Sequence, residues 1–335
     1  DASKTYNQVI DFSDFTEEGK GYTITCDGKT SLPFDIGNDI YGNLTTEAMN
    51  YFYQNRSGVD IKAEYIASAD PDGPKASASD LAREAGHANT EAYIQSKWVY
   101  IIPTDADVEK TNGSIKEGAN GWYDAGDHGK YVVNGGVSIW TLLSMFDRDV
   151  NKGDISKWDD AGKTVVVPEA GNGTPDILDE VQVEINFFKT MQDSSDGMVY
   201  HKLHDYKWTA LAVSPADATA KTNAGELTRI VKPKTYAATL NFAAALAQYS
   251  RLIKPYNPSE ASECLEMAEK AYKAAKASYK PYVTVPDQNA DHVSLYAPLT
   301  QNKGGGPYGD TDVTDEFYWA ACELYITSEK ADYKT

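Results

Sequence analysis

The sequence predicts a mainly α-helical fold preceded by a short β segment. Apolar residues recur at helical spacing in six runs, which cover residues 45–55, 135–148, 175–192, 236–252, 258–279 and 314–328. The fifth run also carries start signals: Asn257 can cap it, Pro258 fits its first turn, and Glu260 can complete a capping box. Strand-like alternation is confined to residues 22–36 and a short stretch near 283–285, so helices dominate the predicted fold.

The first 40 residues predict the end of a β domain. Apolar and polar residues alternate over 22–26 and again over 32–36, and Asp27-Gly28 between them predicts a tight turn. A complete β-sandwich needs about 100 residues. The predicted hairpin therefore either packs on the next domain or belongs to a module of which this chain holds only part.

The composition indicates a soluble globular protein. Apolar residues make up 41% of the 335 residues, and no run approaches the roughly 18 apolar residues of a membrane helix, so we expect no membrane insertion. The net charge of −19, from 50 acidic and 31 basic residues, repels nucleic acid and anionic lipid and argues against both as partners. The same charge suits a neutral ligand or a calcium-binding protein. The 23 tyrosines and 6 tryptophans could fill the core, or they could form aromatic surfaces that stack on sugar rings.

Two aspartates stand three residues apart in GWYDAGDHGKYV, residues 121–132. One interpretation is a glycine-containing turn in which Asp124 and Asp127 cap the following helix. The other is a pair of carboxylates that binds one water molecule. When two carboxylates lie close together, the pKa of one rises, while the other stays ionised and can act as a base. Local sequence leaves both interpretations open.

The longer segment GWYDAGDHGKYVVNGGVSIWTLL resembles the water-activating segment of the family 9 glycoside hydrolases, which are inverting endo-β-1,4-glucanases. Further segments resemble landmarks of that family in the same order: YFYQNRSGVDI (51–61), REAGH (83–87), PEAGNGTPDILDEVQVEINFFKTMQ (168–192), GMVYHKLHD (197–205) and GGGPYGDTDVTDEFYWAACELYIT (304–327). The resemblance covers nearly the whole chain. It implies that residues 1–40 end an immunoglobulin-like module and that residues 41–335 form the N-terminal half of an (α/α)6 barrel catalytic domain.

The resemblance implies separate roles for the two aspartates. Asp127 matches the general base that takes a proton from the attacking water, and Asp124 matches the partner that holds the same water. An inverting enzyme places its acid and base about 6.5–9.5 Å apart, so aspartates on one turn cannot be both. The family's acid is a glutamate in a late segment that nothing here resembles. We therefore expect a fragment that lacks the acid and is inactive alone.

The resemblance also implies a structural calcium ion. Its candidate ligands are the side chains of Asp315 and Glu316 and backbone oxygens around Thr311 and Asp312. Carboxylate and carbonyl oxygens suit Ca²⁺, although acidic residues at a helix start also stabilise the helix without any metal. No zinc is expected, because residues 57–120 contain no cysteine and His87 as their one histidine.

Aromatic and histidine residues near these segments are the candidate substrate contacts. They are Trp122, Tyr123, His201, His204, Trp208 and Tyr308. The alternative for each is a core or surface-loop residue without a role in binding. The implied partner is a β-1,4-glucan such as cellulose or cello-oligosaccharides.

The implied function is hydrolysis of internal β-1,4-glucosidic bonds with inversion. Alternatives are a non-catalytic carbohydrate-binding protein, a calcium-stabilised structural module, and an exo-acting cellobiohydrolase or glucosaminidase of the same fold. The resemblance implies a secreted or cell-surface protein, whose signal peptide would lie outside this chain. The oligomeric state is not indicated.

Overall fold

Two compact units make up the chain, Asp1–Thr45 and Thr46–Thr335. The computed structural model describes residues 4, 9–38, 40–67, 78–210, 212–300 and 303–334. The assignment of residues 1–40 to an immunoglobulin-like module stays a prediction.

The first unit contains four short strands in the described residues. They are β1 (Gly19–Tyr22), β2 (Thr25–Cys26), β3 (Lys29–Thr30) and β4 (Phe34–Ile36). Strand β1 pairs with β4 and β2 pairs with β3, both antiparallel. Asp27 and Gly28 have φ angles of 49° and 72°, as the tight turn between β2 and β3 requires. The predicted hairpin is therefore confirmed.

Eight α-helices occur in the described residues. They are α1 (Leu44–Gln54), α2 (Ala78–Leu81), α3 (Val132–Lys152), α4 (Asp176–Met191), α5 (Pro215–Asn223), α6 (Tyr236–Ile253), α7 (Pro258–Ser278) and α8 (Thr314–Ser328). All six predicted helices are present. The sequence missed α2, which is a single turn, and α5, which buries only Ala218 and so lacks an apolar stripe. None of the described helices has the length and apolar character needed to cross a bilayer.

Helix α6 forms the centre of the helical core. Every residue of α6 except Arg251 is buried, and the helix packs against α3, α7 and α8. A helix that is apolar all round belongs in a core. Asn257 accepts the backbone N–H of Glu260 at 3.1 Å and caps α7 as predicted. The Glu260 carboxylate instead binds Lys189 at 2.6 Å, so the predicted capping box is wrong.

A five-stranded sheet lies beside the helices, and the sequence did not predict it. Its strands are β5 (Glu91–Ile94), β6 (Ser114–Lys116), β7 (Lys130–Tyr131), β8 (Lys202–Asp205) and β9 (Arg229–Val231). Their order is β6-β5-β9-β8-β7, with β5 and β9 parallel and the other neighbours antiparallel. The strands are short and carry charged residues at buried positions, so they lack the usual alternation.

The strand-like stretch near 283–285 is not a strand, and that prediction is wrong. Pro281 and Pro286 flank it, and proline cannot donate to a ladder. Val283 is 48% exposed, so the stretch lies on the surface.

The sheet buries a group of charges centred on Glu117, which directly follows β6. Arg229 on β9 donates from Nε and Nη2 to the two Glu117 oxygens at 2.8 and 3.0 Å. Lys130 on β7 lies 3.0 Å from Glu117 Oε2, and all three side chains have no exposed surface. Burial alone would raise the pKa of Glu117, but the charges of Arg229 and Lys130 outweigh it and hold that pKa below its usual range.

We expect Glu117→Gln to lower the free energy of unfolding by about 3–5 kcal/mol, because it leaves two buried cations without their shared counter-ion. Urea denaturation measures the loss. The control is Lys152→Gln, which removes an exposed partner of Asp149 and changes stability little. Equal midpoints for Glu117→Gln and the parent would contradict the structural importance of this charge group.

Candidate active site

The two aspartates lie in a loop fixed at both ends by backbone hydrogen bonds. The N–H of Gly121 donates to Val183 O at 2.8 Å, and the N–H of Asp124 donates to Gly129 O at 3.0 Å. Gly121 has φ of 78°, and a Cβ there would lie 2.8 Å from Lys130 Cδ, so only glycine fits. The following helix, α3, begins at Val132 and has no side-chain cap. The interpretation of the aspartates as helix caps is therefore wrong.

Side-chain donors hold both carboxylate oxygens of Asp124. Tyr308 donates its hydroxyl to Oδ2 at 2.6 Å, and Asn134 on α3 donates its amide to Oδ1. Burial raises the pKa of Asp124, and the nearby charge of Asp127 raises it further. The charge of Asp127 thus acts on Asp124, as the carboxylate-pair interpretation expects.

Asp127 is held differently. Tyr131 at the end of β7 donates its hydroxyl to Asp127 Oδ2. The other oxygen, Oδ1, is buried and has no hydrogen-bond partner among the described residues. The side chain is 9% exposed, so it is close to the surface yet largely shielded from bulk water.

A cavity of about 90 Å³ lies beside Asp124. Its walls include Tyr51, Phe52, Trp122, Tyr123, Asn134 and Glu184. A cavity of this volume has room for ordered water, and its polar walls can hydrogen-bond to that water. The site therefore combines the Asp124 carboxylate, space for water and aromatic walls, and Asp127 stands three residues further along the same loop.

The residues predicted to contact substrate lie at different places in the structure. Trp122 and Tyr123 line this cavity, and Tyr308 contacts Asp124 directly. Trp208 lines a different cavity, together with Lys207 and Leu227. Contact with substrate stays a prediction for all of them.

The two histidines among those predictions are buried. His201 contacts Thr235 Oγ1 through Nδ1 at 2.9 Å and Pro307 O through Nε2 at 2.8 Å. Burial lowers the pKa of His201 to about 3, so the ring is neutral. The two contacts connect the start of α6 to the loop that carries Pro307. His204 contacts Asp205 O through Nδ1 at 2.7 Å, and burial lowers its pKa well below the usual range. Their role as substrate contacts also stays a prediction.

The predicted calcium ligands lie in the first turn of α8, which carries Asp315 and Glu316, and in the residues just before it. Glu316 Oε2 is buried without a partner among the described residues, and burial raises the pKa of Glu316 to about 8. An ionised carboxylate at that position needs a counter-charge, so Glu316 and its neighbour Asp315 fit a bound cation. Asp312 Oδ1 instead accepts the N–H and the hydroxyl of Thr314 at 3.1 and 2.7 Å, which occupies that oxygen. No contact described here involves the side chain of Thr311, so its role stays a prediction.

A second group of carboxylates was missed by the sequence analysis. Ligand atoms of Asp160, Asp176 and Asp179 all lie within 4.8 Å of one another. Asp176 is 1% exposed, and its Oδ1 and Asp179 Oδ2 are buried without partners among the described residues. The i, i+3 spacing on α4 was visible in the sequence, but only folding brings Asp160 alongside. The prediction that no zinc binds between residues 57 and 120 stays untested.

Comparison with known proteins identifies the family. Residues 41–335 match the sequence model of Glycosyl hydrolase family 9. The chain belongs to glycosyl hydrolase family 9. It is 43% identical over 350 residues to a cellulose 1,4-beta-cellobiosidase from Acetivibrio thermocellus and 40% identical over 332 residues to endoglucanase C from Cellulomonas fimi.

These alignments cover 99% and 98% of this chain but 35% and 27% of the two relatives, so the chain spans about a third of their length. A Bacteroides ovatus GH9 structure has a TM-score of 0.70 and 30% identity, and the match covers 97% of this chain and 52% of that one. These findings confirm the predicted family and its mainly α, (α/α)6 barrel-type fold class.

Three further residues at this family 9 site escaped the sequence analysis. Tyr131 and Asn134 stand four and seven residues after Asp127, within the recognised segment, but nothing in their spacing shows which carboxylate they contact. Glu184 on α4 accepts the Trp122 N–H at 2.7 Å, and no local signal connects it to the loop.

Glu184 also makes stability depend on pH. It is fully buried, and burial raises its pKa to about 8 from 4.5. As pH rises from 4.5 towards 8, the unfolded chain loses this proton first, so Glu184 progressively destabilises the folded state.

We expect Glu184→Gln to gain stability relative to the parent between pH 5 and pH 8, by a few kcal/mol at most, because glutamine keeps an acceptor for Trp122 and cannot ionise. Urea midpoints at both pH values measure the change. Glu266→Gln on the exposed side of α7 is the matched control. Parallel pH profiles for the parent and Glu184→Gln would contradict this assignment.

Proposed function

We propose that this chain is the water-activating part of a hydrolase that cleaves β-1,4-glucan with inversion. The observation that supports the proposal is the unequal hydrogen bonding of two neighbouring carboxylates, of which Asp124 lines the cavity. Asp124 has both oxygens held by donors, whereas Asp127 has one buried oxygen without a partner among the described residues. This asymmetry suits one carboxylate that orients water and another that accepts its proton.

In the proposed reaction the water oxygen bonds to the anomeric carbon while the glycosidic C–O bond breaks. Asp127 takes the water proton, and Asp124 orients the water. The leaving oxygen takes a proton from an acid, which the family resemblance assigns to a glutamate. Attack from the side opposite the leaving group inverts the anomeric centre.

The proposed mode is endo cleavage of cellulose and related glucans. The name of the Cellulomonas fimi relative, endoglucanase C, supports the endo mode. Exo cleavage is the second candidate, because the Acetivibrio thermocellus relative is named as a cellobiosidase. A polymer substrate of this size cannot enter a cell. We therefore also propose that the protein acts as a secreted or cell-surface protein.

We expect the chain to release fluoride from β-cellobiosyl fluoride, because fluoride leaves as an anion and needs no acid. Asp127→Asn should lower this rate by about 10²–10⁴-fold, the usual contribution of a general base. A fluoride electrode measures the rate, and Asp332→Asn at an exposed position is the matched control.

Parallel assays on carboxymethyl-cellulose report whether the chain also supplies an acid. In that substrate, unlike the fluoride, the leaving oxygen needs a proton. If the chain instead binds carbohydrate without catalysis, the parent should release no fluoride, and Asp127→Asn should bind cellohexaose as tightly as the parent. That pair of results would overturn the proposed function.

We further propose that the chain binds calcium through Asp315 and Glu316. The buried Glu316 oxygen without a partner among the described residues supports this. Bound calcium would supply positive charge that keeps these carboxylates ionised inside the fold. The group formed by Asp160, Asp176 and Asp179 offers a second candidate set of oxygen ligands.

We expect titration calorimetry of the metal-free chain to detect calcium binding, and Tm to rise with calcium concentration. Asp315→Ala should remove one binding event and Asp176→Ala another, whereas Asp332→Ala at an exposed position should remove none. Absence of heat and of any Tm change in the parent would exclude calcium binding.

A further inference from the structure

The hydroxyl of Tyr131 connects the carboxylate of Asp127 to the glycine-rich loop at residues 304–306. It donates to Asp127 Oδ2 and accepts the backbone N–H of Gly306 at 3.1 Å. Tyr131 is 2% exposed, and its backbone lies in β7, paired with Lys202 of β8. Its position is therefore fixed by the sheet rather than by the loop that carries the aspartates.

The direction of this hydrogen bond is determined by its neighbours. A phenol has one proton, and the Gly306 N–H can only donate to it, so the Tyr131 proton is directed at Asp127. Burial, together with the negative charge of Asp127, raises the pKa of Tyr131 well above its usual range. The hydroxyl therefore remains a donor throughout the neutral and mildly alkaline range.

The glycine-rich loop packs too closely on Tyr131 for a side chain. A Cβ on Gly305 would lie 2.5 Å from Tyr131 Oη and 2.9 Å from His204 Cγ. The ring of Tyr308, from the same loop, meets the Tyr131 ring edge-on with centroids 4.8 Å apart. Lys202 Nζ donates to the Gly305 and Gly306 carbonyls at 3.4 and 2.5 Å, which holds the loop against the sheet.

These contacts distinguish the four oxygens of the carboxylate pair. Asn134 and Tyr308 occupy the two oxygens of Asp124, and Tyr131 occupies Oδ2 of Asp127. Asp127 Oδ1 is the one oxygen of the four without a hydrogen-bond partner in the described part of the chain.

We propose that Tyr131 is a positioning residue that occupies Asp127 Oδ2 and leaves Oδ1 as the atom that accepts the proton of the attacking water. The proposal rests on the proposed hydrolase function. With β-cellobiosyl fluoride the balance is simple: the water O–C1 bond forms, the C1–F bond breaks, fluoride leaves, and the water proton goes to Asp127 Oδ1.

The first test compares fluoride release by the parent and Tyr131→Phe. We expect kcat to fall about ten- to a hundredfold with little change in KM, because the base is misplaced while the sugar contacts remain. The acidic limb of kcat against pH should also move up by about one unit, since removing a donor disfavours the charged carboxylate. A purely structural role would not move that limb.

Two further variants keep the test sharp. Gly305→Ala displaces the Tyr131 hydroxyl without removing it and should shift kcat in the same direction. Tyr249→Phe removes another buried hydroxyl, which donates to Gln182 at 2.5 Å in the helical core, and should leave kcat and the pH profile unchanged. A Tyr131→Phe protein that folds and matches the parent in kcat and pH profile would overturn the proposal.

The second test needs no turnover. A phenol that donates to a carboxylate should give a slowly exchanging, strongly downfield hydroxyl proton signal by NMR. This signal should be absent in Tyr131→Phe and should move upfield in Asp127→Asn. Fluoride release without this signal would overturn the positioning role alone. The signal without fluoride release would support the contact while refuting the proposed function of this chain.

Discussion

The buried carboxylate of Glu117 is the interaction on which the site depends. It is the shared counter-ion of Arg229 and Lys130, and each of these cations also holds a part of the loop that carries Asp124 and Asp127. Arg229 donates from Nη1 to His128 O at 2.9 Å, and Lys130 donates to Asn120 O at 3.3 Å. Without this partner a buried lysine would lose its proton or leave the interior, and a buried arginine, which stays charged, would have to leave it. The conformation of residues 120–130 therefore follows from a charge balance made inside the sheet.

The helices and the five-stranded sheet contribute different interactions to this protein. The helices supply apolar packing around α6, where small alanines allow close approach. The sheet supplies buried charge and the fixed backbone of Tyr131. The carboxylate pair lies where the two meet, in the loop that leads into β7 and α3, so Asp127 receives a donor from β7 and Asp124 receives one from α3.

The sequence predicted what local chemistry determines. The six longer helices follow from apolar periodicity. Asp124 and Asp127 were identified by the family resemblance of one contiguous segment, since local chemistry left the helix-cap interpretation open. The sheet was missed because its strands are two to four residues long and bury Lys130, Lys202 and Arg229, which no strand pattern anticipates. The donors to the aspartates were missed for a different reason. Tyr308 stands 184 residues beyond Asp124, and only the fold shows that its hydroxyl reaches a carboxylate rather than a sugar.

One short loop supports both carboxylates: Tyr308 contacts Asp124 directly, and Gly306 supports Asp127 through Tyr131. The two aspartates are therefore not independent parts. A disturbance of residues 304–308 removes the Tyr308 donor from Asp124 and the Gly306 contact from Tyr131 together, whereas Asn134 and the pairing of β7 remain. A change in this loop therefore alters the surroundings of both aspartates at once, and neither can be altered through it alone.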